Sequence, residues 1–122
     1  EMGTPLSRRM IVFKPLIEQL QLAAIKGMTN RLEDKYRQQG GRRVNIDPGY
    51  LLPERFVLAT GKNFTHRIYV GDGIYADLTL IYRKGAFRTL PWTYPDYADR
   101  QLIDFLSLVR KKYMVGLKEL GN

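Results

Sequence analysis

Two periods of hydrophobic and polar positions run along the chain, and they predict both helices and strands. Apolar residues recur at three- and four-residue steps near residues 16–38 and again near 97–118, which is typical of amphipathic helices. We expect Asp96 to cap the second helix and Gly40 to end the first. The predicted buried faces are Ile17, Leu20, Ala24, Met28, Leu32 and Tyr36 on the first helix, and Leu102, Leu106, Val109, Tyr113 and Leu117 on the second.

A period of two predicts a three-stranded meander over residues 66–70, 74–83 and about 86–90. A three-residue loop at 71–73 would pair Ile68 with Ala76 and Val70 with Ile74, apolar with apolar. The same register sets Arg67 opposite Asp77. On the middle strand, strict alternation places one apolar set on a single face: Ile74, Ala76, Leu78, Leu80 and Tyr82.

The remaining segments give weaker patterns. Residues 9–13 and 42–46 are predicted strands, and Asp47-Pro48-Gly49 is a predicted type II turn with Gly49 at positive φ. Residues 53–60 fit a short helix or a strand, and we favour the helix. The fold class that follows is α+β: a largely antiparallel sheet that includes the meander, with two long helices packed on one face. The 122 residues are expected to form a single domain.

Composition narrows the functional classes. The chain has no cysteine, which excludes disulfides and thiolate metal sites and favours a cytoplasmic location. No apolar run is long enough to span a bilayer, so no membrane partner is expected. The net charge of +8 favours anionic partners such as phosphorylated metabolites, nucleotides or nucleic acid.

Two groups of polar residues are candidate ligand-binding sites. Arg67 and Asp77 either form a cross-strand ion pair or hold an anion, with Tyr69 and Tyr75 on the same face. Ahead of the Asp-Pro-Gly turn, Arg43, Asn45 and Asp47 share one strand face, which is either solvated or part of a site on the same concave surface as Arg67 and Asp77. The neighbouring Arg42 and Tyr50 are further candidate ligand-binding residues.

His66, the only histidine, is the best candidate for proton transfer, with Asp47 as the carboxylate partner. Alternation places it beside Ile68 on the face opposite Arg67, where a purely structural histidine is the alternative. One histidine cannot supply a two-histidine metal site, and no metal ligand set is predicted. Magnesium held by Asp47, Asp72 or Asp77 stays open.

The loop after the meander is rich in aromatic residues. Trp92, Tyr94 and Tyr97 could stack on a base or a sugar ring, with Asp96 beside them, but such residues more often pin a loop to the core. We favour pinning and keep the loop as the rim of the candidate site.

Five ordered strings resemble a domain-of-unknown-function family of bacteria and archaea. The resemblance covers about residues 1–113, and it implies no established activity. Members are sometimes labelled GTP-binding proteins, although this chain has no Gly-x-x-x-x-Gly-Lys-Ser/Thr string. Members usually continue upstream through a strand–helix–strand unit, so we expect this chain to be the larger C-terminal part of a longer protein. The strings span residues 41–50, 58–60, 66–69, 73–76 and 92–97.

Three functions stay open at this point. The first is a binding module for a small phosphorylated or nucleotide ligand. The second is an enzyme acting on such a ligand through His66 and an aspartate, and the third is an RNA- or ribosome-associated protein. The cofactor is unknown. An open sheet edge, left by the missing upstream unit, would favour a homo-oligomer.

Overall fold

A computed structural model of the chain describes residues 10–13, 16–38, 40 and 45–121. It confirms an α+β fold with a five-stranded antiparallel sheet and two long helices. A 3₁₀ turn at Gln19–Gln21 precedes helix α1. The elements are α1 (Leu22–Gln38), β1 (Gly49–Leu52), β2 (Arg55–Thr60), β3 (Arg67–Gly71), β4 (Ile74–Arg83), β5 (Ala86–Thr89), α2 (Pro95–Ala98) and α3 (Arg100–Gly121).

The longest strand, β4, organises the sheet. The strand order is β1-β2-β4-β3, and β5 pairs with the far end of β4 on the same side as β3. The two predicted consecutive hairpins, β3–β4 and β4–β5, are therefore confirmed. The predicted meander is wrong in its strand order, because β3 and β5 share one edge of β4 and β2 occupies the other. The register of the first hairpin is confirmed at the point that matters for the site, because Arg67 lies opposite Asp77 and Ile68 opposite Ala76.

The β3–β4 turn differs from the prediction. Gly71, not Val70, pairs with Ile74, and the register shifts between Tyr69 and Gly71. The turn itself is the two-residue Asp72-Gly73, with φ of 54° and 75°. Such a turn matches the twist of the strands, and the extra residue Val70 then restores the apolar register that a two-residue loop alone would lose.

Residues 53–60 form a strand, so the favoured helix is wrong. β2 lies between β1 and β4, and three of its side chains are buried to 6% exposure or less: Phe56, Val57 and Ala59. Pairing on both edges, which no local pattern reveals, decides between the two conformations.

The prediction that Gly49 is needed for a positive φ in a type II turn is wrong. Gly49 does not have a positive φ; it begins β1, directly against β2. A Cβ atom there would lie 2.3 Å from the carbonyl oxygen of Val57, so only glycine permits this approach. Of the predicted strand at 42–46, residues 42–44 lie outside the described residues, and Asn45 and Ile46 are in no strand.

A β-bulge at Thr79 divides β4 into two halves. Val57 pairs with Leu78 but the preceding Phe56 pairs with Leu80, so Thr79 has no partner on β2. Phe56 and Val57 point to opposite faces, and their partners do the same. The predicted alternation from Ile74 to Tyr82 on one face is therefore wrong beyond Leu78.

The two halves of β4 bury their apolar side chains against different helices. The first core contains Leu22 and Ala23 of α1 with Val57, Ala59 and Ile74. The second contains Leu106 of α3 and Tyr97 of α2, and its sheet residues are Phe56, Leu80 and Phe87. Because Phe56 and Val57 are adjacent in β2, α1 and α3 lie on opposite faces. The prediction that both helices share one face is wrong, and the bulge is the reason.

The apolar stripe predicted for α1 faces outward. Leu20 is 89% exposed and Met28 is 49% exposed, whereas Leu22 is 1% exposed. The residues buried on this helix are Leu22, Ala23 and Thr29. Periodicity finds an apolar stripe but cannot tell which side the sheet covers. On α3 the predicted stripe holds better, since Leu106 is 2% exposed and Leu102 packs against the same core.

The helix caps and the chain before α1 complete the fold. Asp99, not Asp96, caps α3, because its carboxylate accepts hydrogen bonds from the backbone N–H groups of Gln101 and Leu102.

Residues 10–13 are in no strand, and residue 9 of that predicted strand lies outside the described residues. In the part of the chain that the structure describes, β1, β3 and β5 each have one unpaired edge. None of its helices could cross a membrane.

Candidate functional site

The carboxylate of Asp77 lies at the centre of the candidate site. Its Oδ2 accepts a hydrogen bond from Nε of Arg67 at 2.9 Å and lies 3.2 Å from Nε2 of His66. All three side chains are nearly buried, with exposures of 8–13%. The cross-strand ion pair predicted from the register is present. The expectation that His66 lies on the opposite face from Arg67 is wrong, because His66 precedes β3 and does not follow its alternation.

The guanidinium of Arg67 is held from several directions. Its Nη1 donates to the carbonyl oxygen of Lys62 at 3.0 Å, and the ring of Phe64 lies 5.8 Å from its central carbon. Phe64 also meets the edge of His66, with ring centroids 5.7 Å apart. These contacts hold the guanidinium in one position in the protein.

The loop after β5 docks on the bulge of β4. Nε1 of Trp92 donates to the carbonyl oxygen of Leu78 at 2.6 Å, and Oγ1 of Thr93 donates to that of Thr79 at 2.7 Å. Oγ1 of Thr93 also accepts from the backbone N–H of Leu90. A bulge disrupts the ladder locally, and here the loop side chains satisfy carbonyl groups around it. These contacts agree with the pinning interpretation of Trp92.

A small cavity of about 140 Å³ opens between this loop, the sheet and the segment before β1. It lies beside the half of β4 that carries Asp77, and α1 and the segment before β1 also contribute to its wall. Its lining combines two cationic side chains, two carboxylates, three threonines and three aromatic residues with two apolar ones: Lys26, Arg67, Asp47, Asp77, Thr60, Thr79, Thr93, Trp92, Tyr94, Tyr97, Leu58 and Ala59.

Lys26 and Asp47 reach the cavity from outside the sheet. Lys26 is half-buried on α1, and its Nζ lies 3.5 Å from the carbonyl oxygen of Ile46. The backbone N–H of Ile46 donates to Glu33 of the same helix at 2.7 Å, which holds this segment against α1. Asp47 accepts a hydrogen bond from the hydroxyl of Tyr97 at 3.2 Å. Within the described ranges Lys26 has no ion-pair partner.

Comparison with protein-family models identifies the family of this chain. The model of "Domain of unknown function (DUF4416)" matches residues 1–113. The chain belongs to this family. No curated protein and no solved structure matches it. The family description states no activity, so the function of this DUF4416 domain has to be argued from the cavity.

The structure brings together some of the residues that the sequence predicts for the site. Arg67, Asp77, Asp47, Trp92 and Tyr94 all line the cavity. Arg42 and Arg43 lie outside the described residues. That Arg43 shares a face with Arg67 therefore stays a prediction.

Other predicted residues lie apart from the cavity lining. His66 stacks behind Trp92, with ring centroids 4.5 Å apart, and Asn45 is exposed. Tyr69 and Tyr75 pack edge-on against each other, 5.3 Å apart, and Asp96 lies within α2. Tyr50 packs with the α1 core. Among the described residues no group of three or more His, Asp or Glu side chains could hold a metal ion.

Sequence reasoning missed Lys26 and the threonines of the cavity. Lys26 follows Leu22 and Ala23 at helical spacing, so it lies on the inward face of α1. That signal becomes visible only once the inward face is known. Thr79 and Thr93 carry no sequence signal, because their role depends on the bulge.

Proposed function

We propose that this DUF4416 domain is a cytoplasmic binding module for a small phosphorylated ligand, whose anionic group enters the cavity between Lys26 and Arg67. The observation that carries this proposal is the state of Lys26. Lys26 is a half-buried residue of the cavity wall, the single hydrogen bond of its ammonium group is 3.5 Å long, and it has no ion-pair partner in the described part of the chain. A cation at a cavity wall without a carboxylate partner suits an anionic ligand.

The charges around the cavity support an anion rather than a cation. The carboxylate of Asp77 already binds Arg67 and contacts His66. The carboxylate of Asp47 accepts from Tyr97. Of the two cationic side chains of the cavity, Lys26 is the one without a carboxylate partner among the described residues. Arg67 adds a fixed, planar guanidinium that suits phosphate oxygens. The overall charge of +8 favours encounter with anions.

Size limits what can enter. The cavity holds about 140 Å³, whereas sites for whole drug-sized ligands hold about 300–1,000 Å³. A phosphoryl group or a carboxylate fits this space, and a larger ligand would leave its remainder at the rim formed by Trp92 and Tyr94. Hydroxyl groups of Thr60, Thr79 and Thr93 around the cavity supply further polar contacts.

The test is isothermal titration calorimetry with ribose 5-phosphate on the Lys26→Gln variant. Loss of a charge-assisted hydrogen bond costs about 1.5–3 kcal/mol, so we expect binding to weaken by roughly tenfold or more. Lys35→Gln is the matched control, since it removes the same charge from an exposed position of the same helix. The control should bind like the unchanged domain.

Two results would contradict the proposal. Absence of ribose 5-phosphate binding would remove its basis. Equal weakening by Lys26→Gln and Lys35→Gln would mean that net charge, not the cavity, attracts the anion. A steep fall of affinity with salt for an RNA oligonucleotide, with both lysine variants affected alike, would instead favour the RNA-associated alternative.

The enzymatic alternative rests on the contact between His66 and Asp77. A histidine held by a carboxylate is a recurrent arrangement in acid–base catalysis. Here, however, the imidazole is 8% exposed and stacked behind Trp92, outside the cavity lining. We therefore assign His66 a positioning role for Asp77 and Trp92. Turnover of a phosphorylated substrate that is lost in His66→Gln, with ligand binding retained, would restore the catalytic interpretation.

A further inference from the structure

Trp92 is held rigidly at the edge of the cavity. Its indole N–H bonds to the carbonyl oxygen of Leu78 at 2.6 Å. Its ring lies nearly parallel to the imidazole of His66, at an interplanar angle of 15° and a centroid separation of 4.5 Å. The imidazole in turn contacts Asp77. Both the position and the tilt of the indole are therefore set by the protein.

This ring is not hidden by the contacts that fix it. Trp92 is 36% exposed and lines the cavity. His66 stacks on one face of the ring, so a ligand at the cavity could stack only on the other face. An aromatic residue that only pins a loop would gain most by burying its whole ring, so the exposed part calls for a second role.

Tyr94 is a second exposed aromatic residue at the cavity. It is 63% exposed and also lines the cavity. Its hydroxyl has no hydrogen bond within the part of the chain that the structure describes. A large exposed ring without a polar partner at a cavity mouth is suited to contact a flat, apolar ligand surface.

We propose that the ligand is a nucleoside phosphate and that Trp92 and Tyr94 form a stacking surface for its base. This inference rests on the proposed function, because the phosphoryl group is the part that Lys26 and Arg67 would bind inside the cavity. The base stays outside, where the rim is, which reconciles a cavity of about 140 Å³ with a ligand of nucleotide size. Stacking on a preformed ring costs little ordering entropy.

The first experiment compares AMP with ribose 5-phosphate, which differs from it by the base alone. Trp92 is the only tryptophan, so quenching of intrinsic fluorescence reports directly on this ring. We expect AMP to bind at least about tenfold more tightly and to quench more strongly, from the usual strength of base–aromatic stacking. Equal affinity of the two probes would overturn the stacking surface and leave the phosphate site standing. Failure of both probes to bind would overturn the phosphate site and the inference together.

The second experiment uses the Tyr94→Ala variant and measures binding of both probes by calorimetry. Because Tyr94 is exposed, we expect the variant to fold, and a thermal melt checks that it does. We expect AMP affinity to fall by about fivefold or more while ribose 5-phosphate affinity is unchanged. Tyr36→Ala on α1 removes an aromatic ring that is 49% exposed and outside the cavity lining, so it should change neither. A parallel loss for both probes in Tyr94→Ala would overturn the inference.

Discussion

The hydroxyl of Tyr97 donates a hydrogen bond to Oδ2 of Asp47, although 50 residues separate the two in the chain. The bond joins α2 to the segment that leads into β1, and both residues line the cavity. The ring of Tyr97 is buried at the same time, 6.2 Å from the ring of Phe56. One residue thus belongs to the second core and to the cavity wall.

Because Tyr97 both packs in the second core and bonds to Asp47, two substitutions of it should lower the free energy of unfolding by different amounts. Tyr97→Phe keeps the ring and should cost about 1 kcal/mol of unfolding free energy, the net worth of a hydrogen bond. Tyr97→Ala also empties part of the core and should cost about 3–5 kcal/mol. Urea unfolding measures both. Equal losses in the two variants would contradict the separation of roles.

The ion pair of Arg67 and Asp77 should matter far more than a surface pair. Their side chains are 11% and 13% exposed, so removing one partner leaves a charge with little solvent. We expect Asp77→Ala to lower the unfolding free energy by about 3 kcal/mol. The matched control is Asp34→Ala, which breaks the exposed pair with Arg37 and should cost about 1 kcal/mol or less. Chemical denaturation of both variants decides the comparison, and a similar small loss in each would show that the inner pair is well solvated.

Gly49 should be among the least replaceable glycines of the sheet. In Gly49→Ala the new methyl group would meet backbone at 2.3 Å, so β1 would have to move away from β2. We expect a loss of about 2 kcal/mol or more, in the range of overpacked sites. Gly61→Ala is the control, since no atom lies within 4 Å of its added Cβ and its φ is not positive. Thermal unfolding should show a lower melting temperature for Gly49→Ala alone, and an unchanged one would refute the close approach.

Two leucines of the first helical region test which side of α1 the sheet covers. Leu22 is 1% exposed and Leu20 is 89% exposed. Leu22→Ala should therefore cost about 2–5 kcal/mol, while Leu20→Ala should change stability by about 0.5 kcal/mol at most. Paired denaturation curves measure the difference. The reverse order would mean that the apolar stripe predicted from periodicity is the buried one after all.

The hairpin register was predictable because its information is local. Arg67 and Asp77, and Ile68 and Ala76, are close in sequence, and chemical matching across the pair selects one register. The turn type was wrong for the same region, because two compensating features, a short turn and an extra residue, give the same pairing as one longer loop.

The conformation of β2 and the orientation of α1 were not predictable from local pattern. β2 becomes a strand because β1 and β4 pair with both of its edges. α1 turns Leu22 and Ala23 inward, where they pack with Val57 and Ala59 of β2. Both outcomes depend on partners far away in sequence.

The candidate site shows the same division. Arg67, Asp77 and the aromatic loop were found because their residue types are unusual in their places. Lys26 and Thr93 were missed because a lysine on a helix and a threonine in a loop are common. Only the packing of α1 and the bulge at Thr79 give them a position at the cavity.

The extra residue in β4 decides how this sheet divides its two faces between packing and polar side chains. By exchanging the apolar face halfway along one strand, it lets each long helix cover a different half of a different face. The half of β4 that carries Asp77 keeps polar side chains, and these line the cavity together with core residues such as Tyr97. Tyr94 is an exposed residue of that lining, so a substitution there would alter the cavity without removing a side chain from either core.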